Sequence, residues 1–117
     1  MKITIPIVPK SLNQLMTWHW HKRYVYGKSL EKTVWAYCVK AKQEQGIIWK
    51  KFIRVEITFV FDNNRRHDVD NYTGGFKKGL DSLVLAGLID DDSYQSAKIT
   101  YEIKKGKPKR TEIVLSG

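Results

Sequence analysis

Phe52-Ile53-Arg54-Val55-Glu56-Ile57-Thr58-Phe59-Val60-Phe61 places Ile53, Val55, Ile57, Phe59 and Phe61 on one face and Arg54, Glu56 and Thr58 on the other. That period of two is the signature of a half-buried strand, because successive side chains of extended backbone point to opposite faces. A strand with one apolar face needs a covering layer, and the segment before it supplies one. From Ser29 to about Gln45, Leu30, Val34, Tyr37, Cys38 and Ala41 recur at helical spacing, with Ser29 placed to cap the start and Gly46 to end the helix. After the strand, Phe76, Leu80, Leu83 and Val84 predict a second, shorter helix that stops at Gly87.

The flanks complete the pattern. Ile3, Ile5 and Ile7 alternate near the start, and Pro6 confines that stretch to a sheet edge. Residues 9–27 read as irregular. Ala97 to Lys105 and Thr111 to Leu115 alternate on either side of a Gly-Lys-Pro-Lys turn and predict a C-terminal hairpin. The order β–α–β–α–β–β points to an α+β fold, with two helices packed on a mainly antiparallel sheet in a single domain over residues 1–117.

Composition narrows the function. The net charge is +9 and the pI about 9.7, a balance that favours a polyanionic partner such as nucleic acid. No apolar run approaches the roughly 20 residues needed to span a bilayer, and no signal sequence is visible, so the expectation is a cytoplasmic protein with no membrane partner. Cys38 is the sole cysteine, which excludes an intramolecular disulfide and a cysteine zinc site. Its apolar helical setting predicts a buried, inert thiol.

Seven of the twelve acidic residues fall between Asp62 and Asp92 of this basic chain. Such clustering is costly unless a cation sits among the carboxylates. If the backbone of Asp68-Val69-Asp70-Asn71 is extended, as at a strand end, both carboxylates face one side and can share one ion. Asp90, Asp91 and Asp92 form a second acidic run on a separate turn. Mg²⁺, for which Mn²⁺ can substitute, takes a few carboxylate oxygens while keeping water and accepting substrate phosphate. Either motif alone is also an ordinary turn former or helix cap.

Three blocks carry a more specific signal: Arg65-Arg66-His67-Asp68-Val69-Asp70-Asn71, Lys77-Lys78-Gly79-Leu80-Asp81-Ser82-Leu83, and Ala86-Gly87-Leu88-Ile89-Asp90-Asp91-Asp92-Ser93. Over residues 54–95 the chain resembles the RusA family of Holliday junction resolvases, and Pro9-Lys10-Ser11-Leu12-Asn13 resembles that family's Pro-Ser-x-Asn element. The resemblance implies a RusA-like fold and a homodimeric, Mg²⁺-dependent endodeoxyribonuclease that nicks four-way junction DNA symmetrically in recombination and repair, often encoded by phages or prophages. It implies Asp68, Asp70 and Asp92 as catalytic metal ligands, Asp91 as a neighbouring ligand, and Lys77 as the functional lysine. The chain departs from the family by about three extra residues, Gly74 and Gly75 among them, between Asn71 and Lys77. Lys77 and Lys78 are therefore alternatives for that role, and Lys77 and Asp81 also have the spacing of a simple helix pair.

DNA contacts are expected from Arg65, Arg66, His67, Asn13 and Lys78, and from Lys107, Lys109 and Arg110 among the basic residues of the C-terminal turn. Trp18, His19, Trp20 and His21 suit stacking on unpaired bases, a dimer contact or the core. Two other functions match the same residues: a non-catalytic basic DNA-binding protein, and a metal-dependent nuclease with broader structural selectivity.

Overall fold

The computed structural model describes residues 1–91 and 96–117. Its elements in chain order are β1 (Lys2–Ile5), α1 (Leu12–Met16), α2 (Trp20–Gln45), β2 (Arg54–Phe61), α3 (Val69–Gly75), α4 (Lys77–Leu85), β3 (Lys98–Lys105) and β4 (Arg110–Ser116). The α+β class stands. The sheet, however, is mixed rather than mainly antiparallel, and the described residues form four helices where two were expected.

Strand order is β1-β4-β2-β3, with β1–β4 and β4–β2 antiparallel and β2–β3 parallel. The expected β3–β4 hairpin is therefore absent. The segment joining β2 to β3 carries α3 and α4 back across the sheet, so β3 starts at the same end as β2 and runs parallel to it. The 106–109 turn then passes over the end of β2, where Gly106 N–H donates to the Phe61 carbonyl at 2.9 Å, and delivers β4 to β2's other side. Alternation reports which face a residue takes; it does not report which strand lies alongside.

Register brings the apolar residues into rows. Ile3 stands opposite Ile113, which stands opposite Ile57, which stands opposite Tyr101. In the next row Ile5, Thr111, Phe59 and Ile103 align, and the buried Thr111 satisfies its hydroxyl by donating to the Ile7 carbonyl at 2.7 Å. The alternate face of β1, β2 and β4 carries the exposed Lys2, Thr4, Arg54 and Glu56 and the half-buried Glu112, and only at its end is an apolar residue, Val60, buried.

Helix α2 starts nine residues earlier than Ser29. Its Ncap is His19, whose Nδ1 accepts from His21 N–H, and Gly46 ends it in the left-handed conformation at φ 67°. The buried stripe Gly27, Leu30, Val34, Cys38 and Ala41 faces the core, and Gly27 lets α4 approach, since a Cβ there would lie 3.2 Å from Lys78 Cγ. Helical periodicity was hidden before Gly27 because Trp20 and Tyr24 on the first turns stay exposed. Burial raises the Cys38 thiol pKa to about 12, against the opposing charge of Lys42, so it is inert as expected.

Candidate active site

The site is built where β2 ends. The Phe61 ring stacks on His67 at 3.6 Å between centroids and 12° between planes, and Tyr72 meets both rings edge-on. This cluster pins the loop that leads into Asp68. Asn63 Oδ1 lies 3.0 Å from His67 Nε2 and also accepts the Arg65 N–H at 3.0 Å. An amide oxygen can only accept, so Nε2 carries the proton, and Nδ1 takes the Tyr72 hydroxyl at 3.2 Å. Burial first, and then the nearby Arg65 charge, lower the His67 pKa. Both ring nitrogens of His67 are thus engaged by neighbouring side chains, and the downward shift favours the neutral ring.

Asp68 is not at an extended strand end. It is the Ncap of α3, its Oδ1 accepting from Asp70 N–H at 3.0 Å. Asp70 sits in the first helical turn, where the exposed N–H groups favour negative charge. Capping occupies one oxygen of Asp68 and leaves the other, together with the Asp70 carboxylate, at an exposed surface. Neither carboxylate has an ion-pair partner among the described residues, unlike Asp90, which meets Lys51 at 2.8 Å, and Asp81, which meets Lys77 at 3.2 Å.

The remaining candidates divide. Lys77 lies just past the C-terminal end of α3, whereas Asp68 and Asp70 are at its start, and it makes the i,i+4 pair with Asp81. On a surface this exposed such a pair contributes only a few tenths of a kcal/mol. Lys78 packs its stem against Gly27. Asn13 is held through its backbone, its N–H donating to Asn71 Oδ1 at 2.8 Å, which ties α1 to α3. Arg110 turns back to Glu112 at 3.2 Å and to the Pro108 carbonyl at 2.8 Å. Arg66 and Lys107 are exposed, as is Asp91. Asp92 lies outside the described residues.

Gly74 and Gly75, between Asn71 and Lys77, have a physical role. A Cβ on Gly75 would fall 1.8 Å from the Lys10 carbonyl oxygen, and one on Gly74 would fall 2.9 Å from Leu12 Cδ2. Glycine is what lets the 9–12 segment lie directly on α3. That approach brings Lys10 and Ser11 to a cleft that also includes Asn63, Arg65, His67, Tyr72 and Lys109. Lys10 and Asn63 were not picked out from the sequence, although Lys10 lies inside the Pro9–Asn13 motif.

Asp68 and Asp70 offer hard oxygen donors, and Mg²⁺ is commonly held by one or two carboxylates with water and substrate phosphate completing its shell. The donor chemistry fits the ion; among the described residues no group of three acidic, histidine or cysteine side chains converges. No protein-family model matches the chain, and no curated protein matches it either. Among the described residues no helix is long and apolar enough to cross a membrane.

Proposed function

We propose that the chain is a Mg²⁺-dependent endodeoxyribonuclease of the RusA-like type, acting as a homodimer on four-way DNA junctions. The observation that carries the reading is the exposed Asp68–Asp70 couple, without an ion-pair partner among the described residues, which follows in the chain directly on His67, a lining residue of a cationic cleft. Capping accounts for one oxygen of Asp68 and for neither oxygen of Asp70. Asp68 and Asp70, with Asp92 as the third ligand implied by the family resemblance, would hold the ion. Held there, the ion would supply an activated water and stabilisation of the negative charge that develops during phosphodiester hydrolysis. The chain itself positions the strand: Arg66 and Lys107 project from exposed loops suited to backbone phosphates, and the rigid Phe61–His67–Tyr72 cluster sets where Asp68 sits.

A second reading, a basic DNA-binding protein without cleavage, is favoured by the capping role of Asp68. Incubation of a labelled four-way junction with Mg²⁺ or with EDTA separates the two. Paired nicks only with Mg²⁺ support the resolvase; binding without nicks supports the alternative. Parallel duplex, flap and RNA substrates define the selectivity.

A further inference from the structure

Three segments far apart in sequence meet in a cleft of about 290 Å³: Val8 to Ser11 with Gln14, the β2–α3 loop, and Lys109 before β4. Its charged lining is Lys10, Arg65 and Lys109, with no carboxylate among the described lining residues. None of the three side chains has an ion-pair partner among the described residues. Convergence of like charges is unfavourable, and a bound anion reverses the sign of that energy.

The cleft is also held in shape by bonds that leave the cationic side chains uncommitted. Lys10 is fixed through its backbone, its N–H donating to the Tyr26 hydroxyl at 2.8 Å. Arg65 is likewise fixed through its N–H to Asn63 Oδ1. The Ser11 hydroxyl caps α1 through Gln14 N–H, at 3.2 Å. His67 and Tyr72 close one side with rings already bonded to each other. The result is a polar cleft with positioned backbone and, among the described residues, cationic heads without ion-pair partners and no acid in the lining.

We propose that this cleft is a phosphate subsite, which seats one backbone phosphate of the nucleic-acid strand beside the phosphate presented to Asp68 and Asp70. Lys10, Arg65 and Lys109 are the binding residues. The assignment rests on the reading of the chain as a nucleic-acid enzyme, and it adds a place on the strand that the carboxylate site does not supply.

The test is binding alone, in EDTA, so that it does not depend on cleavage. Lys10→Gln, Arg65→Gln, Lys109→Gln and the triple variant are compared with Lys40→Gln, an exposed lysine on α2, for affinity to a fluorescent four-way junction across a salt series. The triple variant is expected to lose about tenfold in affinity, and its log-affinity against log-salt slope to fall by about one, the value for a single phosphate. Lys40→Gln is expected to leave the slope unchanged. A second arm titrates inorganic phosphate and follows the backbone amide resonances of Lys10, Asn63 and Arg65, which should shift in the native chain and not in the triple variant. An unchanged junction slope, or an equal fall in the Lys40 control, overturns the proposal. Phosphate-induced shifts without a slope change would also overturn it, by making the cleft a free-anion site. A chain that passes both arms yet never cuts DNA would retain the subsite and lose the nuclease reading.

Discussion

Replacing Gly75 by Ala sets two effects of opposite sign against each other. Gly75 ends α3 and its φ is not positive, so helix propensity alone predicts that alanine stabilises the chain by up to about 1 kcal/mol. The tertiary structure predicts the reverse. The added Cβ would stand 1.8 Å from the Lys10 carbonyl oxygen, about half an ordinary contact of roughly 3.5 Å. A side chain could rotate away from such a clash; a backbone carbonyl can move only with its segment. Overpacking of this kind costs about 1–3 kcal/mol, and a backbone obstacle belongs at the upper end. The net expectation is a loss of roughly 2 kcal/mol, or a fall in Tm of about 8 °C for a domain of this size. Thermal unfolding followed by circular dichroism measures it. A Tm equal to or above that of the native chain would refute the claim that the 9–12 segment lies directly on α3, and with it the geometry of the cleft.

Asp70→Asn should abolish Mg²⁺-dependent junction cleavage while junction binding in EDTA is kept or tightened, since the basic contacts remain and a repelling charge is gone. Asp68→Asn should do the same without unfolding α3, because asparagine is as good an Ncap as aspartate; near-normal cleavage by either variant at saturating Mg²⁺ would rule out the site. Desolvation pushes the Glu112 pKa up, but the hydrogen bond from Arg110 and the charges of Lys2 and Arg110 outweigh it, so the net shift is downward from 4.5. Its stabilising contribution is therefore present above pH 4.5 and lost as pH falls through the lower folded value, and Glu112→Gln should flatten the stability profile in that acid range; denaturant midpoints measured at a series of pH values check it. Cys38 should resist a thiol reagent at pH 8 until the chain unfolds, and rapid labelling of the native protein would contradict its burial. Sedimentation should find a two-fold homodimer whose paired sites linearise a cruciform-bearing plasmid, against which a monomer giving only singly nicked circles would count.

Periodicity in the sequence was enough for the elements that bury one face. The alternation of residues 53–61 marks β2, the stripe from Leu30 to Ala41 marks most of α2, and Phe76 to Val84 marks α4. The clustering of aspartates on a basic chain singled out Asp68 and Asp70 without any coordinates. Three matters were decided only in three dimensions. Strand partnership was one, because alternation fixes a face and leaves the neighbour open: β4 lies between β1 and β2, and β3 lies parallel on β2's far side. The start of α2 was another, because Trp20 and Tyr24 are exposed and leave no apolar stripe to read. The third was the cleft, whose cations come from positions 10, 65 and 109 and meet because Gly75 admits the Lys10 backbone against α3, a contact between distant segments with no local pattern to announce it.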